Sequence, residues 1–331
     1  MAGTDGSRRK LITRRRFLMA GGSTVAAAGL GLGGFTIYDH RQRFGRDAMY
    51  VVPDHRVELP AVLPRMVIAR GADPALNVRA AVERLGGMQR LITSDDVVLV
   101  KPNIGWVRKA EQAATTHPEV VGELVRLCRE AGPRRVIVSD CPVMVGRARG
   151  AFERSGILEA AATAGAEVIL PEDCGHRTVR ISERLGTWDV LEPFVTATKI
   201  INVPVAKAHP AMQASAGMKN WIGFTDKLRM MFHNDIHRSV AELAALMLPT
   251  LTVVDATRVL MHGGPAGGNL DAVQPVNTIA AGFDPVALDT WACGLITANP
   301  GPPPQFLRLA EQMGLGATDL GAIQPLEIAA G

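Results

Sequence analysis

From Met66 onward the chain repeats one pattern: a short apolar run rich in β-branched residues, then a longer segment with one apolar face. Runs separated by so many residues cannot be joined as tight hairpins, so the pattern predicts strand–helix–strand units. Short apolar runs without polar alternation belong to strands buried on both faces. Strands are expected at Met66–Ala69, Val97–Val100, Val136–Val138, Glu167–Leu170, Ile200–Val205, Leu251–Val254 and Val276–Ala280. The expected fold class is α/β, a single domain with a central parallel or mixed sheet covered by helices on both faces.

The helical segments carry their own start signals. Asp73-Pro74 and Asp284-Pro285 each place an N-cap aspartate before a proline at the first helical position. Thr116 and Glu119 have capping-box spacing ahead of a helix expected over Glu119–Glu130, with Val120, Leu124, Leu127 and Cys128 on one face. Further helices are expected over Ala151–Ala164, from about Asp235 to Leu246, and over Gln305–Met313. Pro204 weakens the centre of the Ile200–Val205 run and marks an edge, a bulge or an early strand end.

Polar residues stand where the strands give way to loops: Lys101 and Asn103, Asp140, Lys207 and His209, and Asp255. A small-residue loop then leads to Lys219 and Asn220. Parallel strands point the same way, so residues just past their carboxyl ends gather at one edge, where open α/β sheets place ligands. Lysines and asparagines suit a carboxylate or phosphate through charge-assisted hydrogen bonds. Aspartates suit a metal ion or the positioning of those lysines. Lys207, His209, Lys101 and Asp140 are the candidate catalytic residues; Asn103, His117, Lys219, Asn220 and Asp255 are the candidate ligand-binding residues. Three crowded lysines repel one another unless an anion or the aspartates offset their charge.

His233 and His237 stand four apart and would share one helical face, the spacing of helical zinc pairs, but the glutamate of the zinc-protease motif is missing. They are the candidate metal ligands, for a divalent ion. His262 lies beside Gly263 and Gly264, in a loop able to approach a ligand closely, and Asp289 is a weaker candidate one turn into its helix. The Gly-rich loop from Met261 to Gly268 lacks the G-x-G-x-x-G arrangement straight after a strand that a dinucleotide site uses, and there is no Walker motif or nucleophile elbow.

The first 37 residues read as a targeting segment. Thr13-Arg14-Arg15-Arg16-Phe17-Leu18-Met19 resembles a twin-arginine export signal, which makes the export machinery an expected partner and the periplasm or cell envelope the expected location. The apolar stretch of residues 17–37, about 21 long, just suffices to span a bilayer, so an uncleaved anchor stays open and would be the only membrane contact. Residues 38–65, charged and holding Pro53, Pro60 and Pro64, read as a tether before the domain over residues 66–331. Before Phe17 stand six basic residues and one acid, a balance of +5 against +4 for the whole chain, so the remainder is near −1. The basic character belongs to the leader, and with few aromatics there is no case for a nucleic-acid partner. The cysteines, Cys128, Cys141, Cys174 and Cys293, are spaced by 13, 33 and 119 residues, which matches no zinc or iron–sulfur pattern. Of these, Cys141 stands just past a strand end.

Several short motifs recur in a known order: K-P-N at 101–103, T-T-H-P-E-V-V at 115–121, S-D-C-P at 139–142, K-A-H at 207–209 and K-N-W-I-G at 219–223. H-N-D-I-H at 233–237, V-D-A at 254–256, G-G-P at 263–265 and A-G-F-D-P-V-A-L-D at 281–289 complete the series. Together they resemble the family defined as domain of unknown function 362, over residues 66 to about 322. Some of its members carry a ferredoxin-like iron–sulfur module; this chain has no C-x-x-C-x-x-C run, so that cofactor does not transfer. Cys141 stands where the resemblance implies a serine. Because the family is defined by sequence and not by a reaction, two function classes stay open. One is an enzyme acting on a small anionic substrate, with or without metal assistance. The other is a non-catalytic ligand- or metal-binding, or redox-accessory, protein of the cell envelope.

Overall fold

The computed structural model describes residues 49–226, 228–297 and 301–330. The export signal and residues 38–48 of the expected tether lie outside the described residues. In chain order the strands are β1 Met66–Arg70, β2 Val97–Pro102, β3 Arg135–Val138, β4 Glu167–Val168, β5 His176–Ser182 and β6 Gly186–Leu191. They continue as β7 Lys199–Val203, β8 Val205–His209, β9 Gln213–Ser215, β10 Leu251–Leu260, β11 Val273–Gly282 and β12 Leu326–Ala329. The helices are α1 Pro74–Arg84, α2 Pro118–Glu130, α3 Ala148–Arg154, α4 Ile157–Thr163, α5 Pro193–Thr196, α6 Ile236–Leu246, α7 Pro285–Ile296, α8 Gln305–Gln312 and α9 Leu320–Ile323.

Ten of the described strands form one mixed sheet in the order β12-β1-β11-β10-β7-β2-β3-β4, with β8 beside β10 and β9 beside β8. β4, β3, β2, β7 and β10 run parallel, while β11 is antiparallel to both β10 and β1. The expected α/β class with a mixed sheet is what the chain adopts. Alternation along each strand sends side chains to opposite layers. Val98 and Val100 join the core beneath α1–α4, whereas Val97 and Leu99 join the core beneath α6 and α8. Full burial of each such side chain stabilises by roughly 1.5–3 kcal/mol.

Local chemistry explains the element ends. Asp73 caps α1 through its carboxylate, accepting from Ala75 and Leu76, and Asp284 caps α7, accepting from Ala287. At α2 the cap is His117 and not Thr116, because Pro118 occupies the first helical position and fixes the residue before it as the cap. The stretch expected as one helix over Ala151–Ala164 is two, α3 and α4, broken where Gly156 turns left-handed at φ 76°. Pro204 splits the expected Ile200–Val205 strand into β7 and β8; lacking an N–H, it contributes only its carbonyl, which accepts from Asp255 N at 2.8 Å. Asp255, expected to close a strand, lies in the middle of the ten-residue β10.

The β5–β6 hairpin was not expected. It packs on the α6 side, where Trp188 stacks on Phe232 at 4.3 Å between ring centroids and Ser182 donates to Glu242. Its signal is present in the sequence: Thr178-Val179-Arg180-Ile181 and Thr187-Trp188-Asp189-Val190 alternate on either side of a turn ending at Gly186. Residues 49–65, the described part of the expected tether, lie along the domain. His55 is buried, its Nδ1 lies 3.1 Å from Thr198 O, and its carbonyl accepts from Thr250 Oγ1. No helix among the described residues is long and apolar enough to cross a membrane.

Candidate functional site

The parallel strands β2, β3 and β8 deliver their ends to one cleft of about 220 Å³. Asn103, Asp140, Lys207, His209, Lys219, Asn220 and His233 line it, with Trp106, Cys141, Val143, Ile222, Arg229, Met230 and Pro265. Lys207 and His209 are two apart on β8, so they share a face, while Ala206, just before Lys207, packs into the core on the other side. Lys219 and Asn220 open a short 3-10 turn, Lys219–Phe224.

A continuous hydrogen-bond chain organises the floor of this cleft. Lys101 Nζ donates to Asp140 Oδ1 at 2.6 Å, to Asn220 Oδ1 at 3.0 Å and to Pro102 O at 3.0 Å. Asn103 Nδ2 also donates to Asn220 Oδ1, at 2.9 Å, and Asn103 Oδ1 accepts from Lys207 Nζ at 2.7 Å. Lys207 Nζ has a second acceptor, Ala114 O, at 2.7 Å. Asp140 Oδ2 accepts from Ile104 N at 2.6 Å, so both carboxylate oxygens are engaged. Gly223 lets the 3-10 turn lie against this pair: a β-carbon there would run into Asp140 Oδ1 and come within 3.1 Å of Lys101 Nζ.

Lys101 is 0 % exposed and all three of its ammonium hydrogens have acceptors, so this candidate catalytic residue does not reach the cleft. Burial pulls its pKa down and the Asp140 carboxylate opposes that shift. Lys207 differs. It is 2 % exposed, borders the cleft, and bonds only to neutral oxygens. Burial, reinforced by the charge of Lys219, lowers its pKa to about 7. Lys219 makes neither a hydrogen bond nor an ion pair among the described residues, and burial with the nearby Arg229 lowers it to about 8. Arg229 donates to the carbonyls of Cys141 and Pro142 and to no carboxylate among the described residues. His209 is driven to about 3, first by burial and then by Lys219, so its ring is neutral; its buried Nδ1 has no partner among the described residues.

Three expected members fall elsewhere. Asp255 is fully buried away from the cleft, accepting from His117 N at 2.7 Å and from Thr257 N and Oγ1 at 2.9 and 2.6 Å. His117 is the α2 cap, its Nδ1 accepting from Glu119 N. His233 and His237 do not act as a helical pair: His233 sits in the 3-10 segment Arg229–Asp235 at the cleft, and the His237 ring stacks on Phe306. Among the described residues no group of three or more His, Cys, Asp or Glu side chains is placed to hold a metal. Cys141 lines the cleft as a thiol, pushed up to about 12 by burial, and all four cysteines are free. His262 is exposed in its loop.

Positioning residues that sequence reasoning missed or ranked low lie behind the site. Asn202, within β7, donates to Gly217 O at 3.0 Å and accepts from Asn220 Nδ2 at 2.9 Å. Asp289 on α7 accepts from Gly217 N at 2.6 Å and Met218 N at 3.0 Å, and burial raises its pKa to about 7. Arg229 had no signal beyond its type, because its role depends on a fold that brings Cys141 and Pro142 beside it.

The model of a domain of unknown function, DUF362, matches residues 98–294, which include every residue of the hydrogen-bond chain. The chain belongs to the DUF362 family. The thylakoid-associated protein sll1697 of Synechocystis is 27 % identical over 258 residues, spanning 76 % of this DUF362 chain and 78 % of the relative. Among solved structures, the lactate racemase apoprotein of Thermoanaerobacterium thermosaccharolyticum is similar with a TM-score of 0.39 and 13 % identity. That alignment covers 75 % of this chain, which spans 62 % of the racemase's length.

Proposed function

We propose that this DUF362 chain binds a small organic anion in the strand-end cleft and acts on it as an enzyme, with Lys207 as the group that accepts a proton or shares its lone pair. The observation that carries the reading is the charge balance of the cleft. Among the described residues, Lys207, Lys219 and Arg229 border it without a carboxylate partner, and the one carboxylate lining it, Asp140, is taken up by Lys101 and Ile104 N. Desolvated like charges are costly, and an anion between them offsets that cost. In this reading Lys101, Asp140, Asn103 and Asn220 position Lys207, and Lys219 meets the ligand. A volume near 220 Å³ lies below the usual ~300–1,000 Å³ of small-molecule pockets, which favours a ligand of few atoms.

Binding of short carboxylates and inorganic phosphate, followed by titration calorimetry, tests the reading. Lys219→Met, at a half-buried position, is expected to keep the fold and weaken anion binding by about tenfold or more, the equivalent of losing one charge-assisted contact of ~1.5–3 kcal/mol. Equal binding by the variant and the parent, or a parent that takes none of these anions, would sink it. A ligand that binds and is recovered unchanged after long incubation favours the non-catalytic alternative. The twin-arginine motif supports a companion proposal, export of the folded chain to the cell envelope.

A further inference from the structure

Two acceptors hold the Lys207 amine, and the geometry they impose bears on its chemistry. Asn103 Oδ1 and Ala114 O each lie 2.7 Å from Nζ, and both are neutral. A neutral amine has two N–H bonds and one lone pair. With both hydrogens committed to those acceptors, the lone pair takes a remaining tetrahedral direction, and Lys207 borders the cleft. Desolvation beside a second cation is a general way to keep a lysine amine unprotonated and nucleophilic. Lys219 supplies that cation here. The cleft walls add Trp106, Val143, Ile222 and Met230, apolar surfaces that limit water around a reacting amine.

We propose that Lys207 captures the carbonyl carbon of a small 2-oxo acid with an apolar side chain, forming an imine while the Lys219 side of the cleft faces the carboxylate. The proposal rests on the anion-binding reading of the same cleft and names its ligand class. The lone pair of Nζ forms the C–N bond as the carbonyl π pair moves to oxygen. That oxygen takes up the proton shed by nitrogen, giving a carbinolamine. Its hydroxyl then leaves as water with one further proton, supplied by the Lys219 ammonium, and the nitrogen lone pair completes the C=N bond. The resulting iminium loses its proton to return Lys219 to the charged form. Amine and carbonyl thus become imine and water, and no oxidant or reductant is consumed. Lys219 offsets the charge of the carboxylate next to the carbon under attack, and the neutral His209 ring adds none.

Trapping tests the step. The full chain is incubated with 4-methyl-2-oxopentanoate and cyanoborohydride, and the reduced adduct is located by intact mass and peptide mapping. One adduct per chain at Lys207 is expected, blocked by excess 4-methylpentanoate, which has the carboxylate but no carbonyl. Lys207→Arg is expected to lose the adduct while binding 4-methylpentanoate in calorimetry, and Lys219→Met to trap at least tenfold less at subsaturating oxo acid. If 4-methylpentanoate binds the parent but no adduct forms at Lys207, imine chemistry is refuted and the anion site stands. If neither acid binds, both proposals fall. An adduct that persists in Lys207→Arg also refutes the imine. Should Lys207→Arg fail to fold, Lys207→Met with the same two measurements replaces it.

Discussion

The pair formed by Lys101 and Asp140 is the test of whether the cleft floor is rigid by construction. Asp140→Asn keeps the shape of the side chain but removes its charge and one acceptor. In the parent, the two carboxylate oxygens accept from two different donors, Lys101 Nζ and Ile104 N, each at 2.6 Å. An amide has only one oxygen, so in either orientation one of those donors meets an NH2 group instead. Lys101 is meanwhile left as a fully buried ammonium with only neutral acceptors. Removing one partner of a buried pair costs about 3–5 kcal/mol, and the unsatisfied donor of ~1–3 kcal/mol is part of that figure. For a domain of this size each kcal/mol moves the midpoint by roughly 2–4 °C, so the variant should melt roughly 6–20 °C lower. Urea unfolding followed by circular dichroism gives the same quantity as a free energy. Replacing both partners, Lys101→Met with Asp140→Leu, removes the uncompensated charge and should recover part of the loss. An Asp140→Asn protein within 1 kcal/mol of the parent, a margin set well below the expected ~3–5 kcal/mol, would show that the pair is not holding the floor.

Stability should depend on pH through the two cleft lysines. Their native pKa values, about 7 for Lys207 and about 8 for Lys219, lie below the ~10.4 of an unfolded lysine. Between these limits the unfolded chain binds more protons, so unfolding free energy rises with pH, and below about pH 7 that gain is lost. The groups that set these shifts are the two lysines themselves, Asp140, Lys101 and Arg229. The urea midpoint should climb from pH 7 to 9.5 in the parent and less steeply in Lys207→Met/Lys219→Met; parallel slopes would contradict the desolvated-lysine picture. For the leader, Arg14→Lys with Arg15→Lys should leave the protein in the cytoplasm by fractionation, and unchanged export would remove the twin-arginine proposal.

Much of the fold was legible because the signals were local. A four-residue apolar run such as Val97–Val100 has few alternatives to a buried strand, and Asp73-Pro74 and Asp284-Pro285 carry cap and first-turn chemistry in adjacent residues. The gathering of Asn103, Asp140, Lys207 and His209 followed from the shared direction of parallel strands. The failures have a common cause as well. Asp255 looked like a strand end because it is polar, but a carboxylate can stay inside a strand when a helix amino end and a threonine satisfy it, as His117 N and Thr257 do. Lys101 looked catalytic for its type, and only the three-dimensional list of its acceptors shows it sealed. Thr116 lost the cap to His117 although Pro118 pointed there.

A loop gripped from two sides holds Lys219 without a hydrogen-bond or ion-pair partner among the described residues. Lys219 follows Gly217 and Met218, whose N–H groups both donate to Asp289 from α7, while Gly217 O accepts from Asn202 in β7. The peptide is therefore gripped from a helix on one side and from the sheet on the other. Gly217 has little room for a side chain, since a β-carbon would lie 2.9 Å from Asp289 Oδ1. Asn220, the next residue after Lys219, is fixed in turn by Lys101, Asn103 and Asn202. With both flanks held, the backbone keeps Lys219 from swinging out into solvent, and its ammonium stays beside Lys207 and Arg229 with no carboxylate partner among the described residues. Isolated, that arrangement is unfavourable by the desolvation and repulsion it imposes on the lysines. Such strain is maintained where surrounding structure over-determines it, and the proposed anion would relieve it.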